Sequence, residues 1–170
     1  MPIGIELKYL YRDLGEGFWP YYEILDQKFR ESIGADHGNL AVGKQQLKYE
    51  LRVNILALCN NEPTGFIRLD LRNQPPLIGD LYVDPVFRGK EIVLEKTPWL
   101  KKEKYLWQTL VKAAYILARR AGYKEVGSYI HTKKGKQVKV WRITQISEWE
   151  LEVNEMNEPQ ELLDLLKKQK

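Results

Sequence analysis

The sequence predicts an α+β fold, a mixed and mostly antiparallel sheet flanked by helices, and three observations carry that expectation. Residues 65–72 (GFIRLDLR) alternate apolar with charged positions at the period of a half-buried strand. Leu106, Leu110, Ala113, Leu117 and Ala121 recur at the spacing of the buried stripe of one helix. That helix lies between an apolar strand at 78–83 and another at 124–130. A strand–helix–strand crossover of this kind makes its two strands parallel neighbours.

The remaining elements follow in chain order. Ile3, Ile5 and Leu7 alternate within residues 3–10 as the first strand. From Pro20 to Ile33, Tyr21, Ile24, Leu25, Phe29 and Ile33 form one face of a helix. Gly34 and Gly38 break the chain, and a short helix fits residues 45–51. Residues 53–59 read as a compact apolar strand that ends in the turn Asn60-Asn61-Glu62-Pro63. In the next strand Ile67, Leu69 and Leu71 face a core, and Arg68, Asp70 and Arg72 form an exposed, ion-paired face. The sequence NQPP turns the chain into the strand at 77–83.

The helical pattern takes over from Lys104, and Gly122 after Arg119-Arg120 is its stop signal. Thr97-Pro98 is an N-cap and first-turn pair, so the helix is expected to start as early as Pro98. Beyond the strand at 124–130, TKKGK reads as a hairpin turn. Residues 137–146 are rich in β-branched side chains and favour a strand, with a helix left open. EWELEV alternates as a further strand, and Asn157 with Gln160 opens a short leucine-rich terminal helix. The expected organisation is one domain over 1–156 followed by a helix over 157–170.

Composition narrows the function classes. A chain of 170 residues with 44% hydrophobic and 29% charged residues can bury a core and is neither disordered nor membrane-like. Its longest apolar runs are far shorter than a bilayer span, and acids appear early in the first seventeen residues, so neither a membrane anchor nor a secretory leader is expected. Cys59 has no possible disulfide partner within the chain and reads as a small buried hydrophobe. A cytoplasmic setting is the expectation. The two histidines and one cysteine offer no metal-ligand spacing, and no dinucleotide or Walker-type glycine loop is present.

Charge is unevenly distributed. Residues 86–142 hold fifteen Lys/Arg against four Asp/Glu, a net of +11, between segments of −3 and −4. A basic middle between acidic ends suits an anionic partner, whether a phosphate-rich cofactor, nucleic acid or an acidic protein. It equally suits a solvated surface whose acidic part folds onto the basic part.

With LYVDPVFRGK before the central helix and LARRAGYKEV leaving it, the chain resembles the GNAT superfamily of acyl-CoA N-acyltransferases over roughly residues 3–131. The resemblance implies a sheet whose central parallel strands splay after Val83, with strand-end backbone groups pairing with the pantetheine arm of acetyl-CoA or another acyl-CoA. It further implies an Arg/Gln-x-x-Gly-x-Gly/Ala turn holding the pyrophosphate on backbone N–H groups at a helix N-terminus, where the helix dipole favours an anion. Tyr82, Val83, Arg88, Gly89 and Lys90 are the cofactor-binding candidates.

The glycine positions of that turn are altered. Counted from Arg88 they are Glu91 and Val93, and counted back from Gly122 they are Tyr105 and Trp107. An insertion of about residues 91–104 separates the two alignments. It brings a carboxylate at Glu91 that repels phosphate, which Lys90 before it and Lys96, Lys101, Lys102 and Lys104 within it offset.

For the chemistry of transfer to an amine substrate, the resemblance points to a carboxylate base on the central strands, which selects Asp80 and Asp70. His131 at the exit of the next strand is a base suited to neutral pH. The position expected of a tyrosine acid holds Trp141, which has no hydroxyl, so an acid would have to come from elsewhere, such as Tyr129. Each also has an ordinary structural reading: Asp70 paired with Arg68 and Arg72, Asp80 paired with Arg88 or capping a turn, and His131 at a solvent-facing strand end. A second function class uses the same fold without acyl transfer, as a catalytically inactive protein. There Lys101, Lys102, Lys104, Lys133, Lys134 and Lys136, interleaved with Trp99, Tyr105 and Trp107, would bind nucleic acid or an acidic partner.

Overall fold

The computed structural model describes residues 2–33, 51–72, 74–95, 103–132, 135–142 and 160–167. Seven strands form one sheet in the order β5-β1-β2-β3-β4-β6-β7. They are β1 (Ile3–Leu10), β2 (Arg52–Cys59), β3 (Glu62–Asp70), β4 (Leu77–Val83), β5 (Ile92–Leu94), β6 (Glu125–Thr132) and β7 (Gly135–Arg142). Helix α1 spans Trp19–Ile33, α2 spans Leu106–Arg120 and α3 spans Gln160–Lys167. Pairing from β1 through β4 is antiparallel, β4 to β6 is parallel and β6 to β7 is antiparallel. The mixed, mostly antiparallel sheet and the parallel neighbours flanking α2 are therefore present as expected. Residues 135–142 form a strand, which settles the alternative for 137–142, and 143–146 lie outside the described residues.

The two faces of the sheet carry separate cores. On one face, α2 lays Leu106, Leu110, Ala113, Ala114 and Leu117 over Val53, Ile55, Ile67, Leu69 and Ile78, and Leu162, Leu163 and Leu166 of α3 belong to the same cluster. On the other, α1 packs Trp19, Tyr22 and Leu25 against Leu56, Leu58, Phe66 and Tyr82. The α1 face is aromatic, with edge-on contacts of Tyr22 and Phe29 to Phe66 at 5.2 and 5.8 Å between centroids.

Several expectations are revised. The buried stripe of α1 runs through Trp19, Tyr22, Leu25 and Asp26, and Ile24 is 47% exposed. Arg68 belongs to no exposed face, because α1 covers the side of β3 from which it projects. Cys59 is half-buried at the margin of the α2-side core. Helix α2 starts at Leu106 with Tyr105 as N-cap, not near Pro98. Within the insertion, Ile92–Leu94 was missed as a strand: it pairs parallel with β1 at the far edge of the sheet. The chain then returns so that Glu91 faces Tyr105 in an isolated bridge and the Ile92 N–H donates to Lys104 O at 3.2 Å. The C-terminal stop holds, with Gly122 at φ 95 and the Tyr123 N–H reaching back to Ala118 O at 3.1 Å. The short helix at 45–51 lies, but for its last residue, outside the described residues, and the strand at 148–153 lies wholly outside them.

Candidate functional site

The site begins with an irregularity in β4. Its ladder to β3 steps from Phe66↔Tyr82 to Arg68↔Gly79, so Asp80 and Leu81 together face the single residue Ile67. Asp80 takes φ 55, a left-handed conformation that one class of β-bulge uses and that Asp tolerates better than most. The extra residue resets the alternation. Ile78 and Val83 both join the α2-side core, while Tyr82 joins the α1-side core.

On its other edge β4 pairs with β6 only at Leu77↔Gly127 and Ile78↔Ser128. The splay thus opens just past Ile78, at the bulge, rather than after Val83. The Asp84 N–H donates to Thr64 O at 2.8 Å, so residue 84 directs its backbone toward β3. In an extended strand adjacent residues alternate, which turns the N–H and C=O of Val83 away from β3 and into the gap that β6 leaves.

That gap is a cleft of about 480 Å³. Phe29 and Ser32 of α1 form one wall, Leu81, Tyr82 and Val83 the floor, and Tyr105, Leu106 and Trp107 at the start of α2 the opposite wall. Phe87, Arg88 and Gly89 close the end. Five of these side chains are aromatic, so a ligand here would lie against rings rather than in a polar cage. Trp107 is 50% exposed at the rim.

The turn that closes the cleft is built by Asp84. Its carboxylate accepts the Val86 N–H at 3.1 Å and an ion pair from Lys28 at 2.7 Å. Burial pushes the Asp84 carboxyl up, and the hydrogen bonds from Lys28 and Val86 outweigh it, so the net displacement is downward. Burial likewise pushes the Tyr82 hydroxyl upward. Arg88 bends back from the turn: its Nε–H donates to Val83 O at 2.7 Å, and its guanidinium lies 5.6 Å from the Tyr82 ring centroid. Gly89 adopts φ 72 with open space around its Cα, a turn position where glycine avoids the strain a side chain would bring.

The two positions at which the resemblance would place its glycine turn meet in space. Glu91 bridges Tyr105, and Lys104 lies 3.5 Å from the Glu91 carboxylate. The carboxylate that would repel a phosphate is thus faced by a lysine. Lys104 also lies 5.4 Å from the Tyr105 ring, whose influence together with Glu91 pushes the ammonium pKa upward. At the start of α2 the Tyr105 N–H is taken by Gln108 Oε1 at 3.2 Å. Tyr105 and Trp107 present side chains to the cleft where glycines would have let backbone approach.

The remaining candidates are scattered. Asp80 lies at the mouth of the splay but on the α1 side, where its Oδ2 meets Arg68 at 2.5 Å. Arg68 also donates to Asn54 Oδ1 at 3.1 Å and to the Tyr22 hydroxyl, and lies 3.7 Å from Asp26. This replaces both the Arg68–Asp70 pair and the Asp80–Arg88 pair expected from sequence. Asp70 sits at the opposite end of β3, beside Leu77, bound to Arg72 at 2.7 Å and 3.4 Å from Arg52. The structure does not bring Asp70 to the cleft. His131 pairs with Lys136 near the hairpin end of β6–β7, and their side chains lie outside what is described. Lys101, Lys102, Lys133 and Lys134 lie outside the described residues, and Lys90 is exposed beside Gly89 but does not line the cleft.

Sequence reading missed Phe29, Ser32, Leu81, Phe87 and Leu106 as cleft residues. Phe29 alone carried a signal, as the last aromatic on the apolar stripe of α1.

No protein-family profile and no curated protein matches the chain. Solved structures do. Escherichia coli ElaA superposes with a TM-score of 0.54 at 16% identity, over 75% of this chain and 79% of its own. AAC(6')-Iy, solved with the bisubstrate analogue CoA-S-monomethyl-acetylneamine, superposes with a TM-score of 0.52 at 15% identity, over 91% of this chain and 93% of its own. The chain has the GNAT fold.

Proposed function

We propose that the chain is an acyl-CoA-dependent N-acyltransferase with a divergent phosphate turn. One observation carries the reading: β4 leaves β6 at a bulge and turns the backbone of Val83 into an apolar cleft walled on one side by the start of α2. An open strand edge beside a hydrophobic slot suits an extended ligand with amides along its length, which pairs as an added strand does. The pantetheine arm has that chemistry. The GNAT fold supports the same assignment, and AAC(6')-Iy was solved with a CoA conjugate in its complex.

In this reading bound acyl-CoA supplies a thioester open to attack by an amine. Val83 holds the arm through its backbone, and Tyr82, Leu81 and Phe29 exclude water around it. Arg88, Lys90 and the backbone at Gly89 neutralise the phosphates. The side chains of Tyr105 and Trp107 keep the start of α2 at a distance, so affinity rests on side-chain cations and stacking and is weaker than a glycine turn would give. Asp80, at the point where the strands part, takes the proton that the amine loses as its nitrogen bonds to the acyl carbon, and the carbon–sulfur bond then breaks so that CoA leaves as its thiolate. Arg68 fixes the position of that carboxylate.

Calorimetry with CoA and acetyl-CoA tests binding, and acetylation of a panel of amines tests transfer. Val83→Pro, which removes the N–H in the cleft, is expected to abolish CoA binding. Asp80→Asn keeps a residue that tolerates left-handed backbone and should lower kcat by about 10²-fold or more with little change in KM for the thioester. A folded protein that binds no CoA, or binds it equally well with Pro at position 83, overturns the proposal. Oligonucleotide binding in its place would favour the inactive, anion-binding alternative.

A further inference from the structure

We propose that Arg88 is a latch on the cleft, closing the strand edge of β4 in the free protein and releasing it only to a ligand that carries phosphate. The inference rests on the acyl-CoA reading and assigns a selectivity that the reading alone does not contain. Its basis is one contact. The Arg88 Nε–H donates to Val83 O at 2.7 Å, and Val83 O is the strand-end acceptor that faces the gap left by β6. The guanidinium does not simply hang in solvent: it crosses the end of the cleft it lines, over the Tyr82 ring at 5.6 Å.

The competition is steric as well as electronic. A carbonyl oxygen has two lone pairs, but a planar guanidinium held against it blocks the approach of an amide from the cleft. Arg88 therefore satisfies in the free protein the acceptor that an amide ligand needs. A phosphate changes the balance, because a guanidinium bonds an anionic oxygen pair in a fork more strongly than a neutral carbonyl. Phosphate at the mouth of the cleft draws Arg88 off Val83 O and leaves that oxygen open to the arm attached to the same phosphate. A ligand with the arm and no phosphate has to displace Arg88 without compensation.

This predicts opposite responses of two ligands to one substitution. Arg88→Met keeps an apolar stem over Tyr82 and removes the fork. Calorimetry with CoA and with pantetheine, which has the amides but no phosphate, is expected to show wild type favouring CoA. In the variant, CoA binding should weaken about tenfold and pantetheine binding should strengthen by a few-fold to about tenfold. If Arg88 only binds phosphate, pantetheine affinity stays unchanged. If Arg88 only supports the turn, both affinities fall together. Either result overturns the latch.

A second measurement stands apart from the acyl-CoA reading. In 15N-labelled wild type, the Arg88 Nε–H signal should be protected from solvent exchange in the free protein and lose that protection when inorganic pyrophosphate is added. Lack of protection in the free protein, or protection unchanged at saturating pyrophosphate, also overturns the latch. Wild type that binds no CoA yet shows the released signal retains the latch and discards the acyl-CoA reading. Matching thermal unfolding midpoints for wild type and Arg88→Met confirm that the comparison is made on folded protein.

Discussion

Arg68 shows how far a residue's role depends on what lies above it. In sequence it alternates with Leu69 and Asp70 as one of several charges on an outer strand face. In the structure its guanidinium reaches Asn54, Asp80 and Tyr22 beneath α1. Burial opposes its charge, but Tyr22, Asp80 and Asp26 more than offset that and hold it protonated. The same burial pushes the Tyr22 hydroxyl up from 10.0 to about 12, with the neighbouring Arg68 pulling the other way. The linkage has a definite sign. Between pH 10 and about 12 the folded protein keeps the Tyr22 proton and the unfolded chain loses it, so stability falls as pH rises through that window. Tyr22→Phe should remove this part of the alkaline slope in urea-unfolding free energies. A slope unchanged in the variant would show that Tyr22 titrates normally.

At the scale of elements, Gly65, which pairs with Val83 just past the bulge in β4, sets how closely the two strands approach. A Cβ on Gly65 would lie 2.8 Å from Tyr82 O and 3.3 Å from Leu106 Cδ2, so β3 approaches β4 and the start of α2 only because residue 65 has no side chain. Gly65→Ala should push β4 and α2 apart and destabilise by about 1–3 kcal/mol, as overpacking of a core does. A thermal melt indistinguishable from wild type would show that the strand pair absorbs the methyl group. Because the same contact sets the walls of the cleft, the variant should also weaken CoA binding.

Legibility differs among the elements for reasons of this kind. Local pattern identified β1 and β3 by alternation, β2 and the flanks of the crossover by apolar runs, and the end of α2 by its glycine stop. It placed the start of α2 near Thr97-Pro98, which lies outside the described residues. The helix begins at Leu106 behind the N-cap Tyr105, whose bridge to Glu91 joins the two ends of the insertion. It also missed β5, since three residues are too few to show a period.

For the whole molecule, the two faces of the sheet are closed by segments far apart in sequence. The terminal helix α3 contributes Leu162, Leu163 and Leu166 to the cluster that contains Ile5, Val53 and Leu110, with Leu162 fully buried. It packs into the main core. Leu162→Ala should therefore lower global stability by about 2–5 kcal/mol in a single cooperative transition, the range for removing a buried leucine side chain. Loss confined to a separate early transition would show instead that α3 is an independent appendage. Among the described residues no helix is long and apolar enough to cross a membrane.

By itself the sequence determined the class of fold and the parallel crossover around α2, and it singled out Tyr82, Val83, Arg88 and Gly89, which lie among the residues lining the cleft. These are local matters: an apolar period, a glycine stop and a strand running into a turn are written in neighbouring residues. Tertiary structure alone decided where β4 and β6 part, that Asp70 lies at the wrong end of β3, that Arg68 sits under α1 and that Arg88 folds back on Val83. Each of these depends on which distant element covers a face or an edge. Alternation records that a strand has two sides and carries no information about what packs on either.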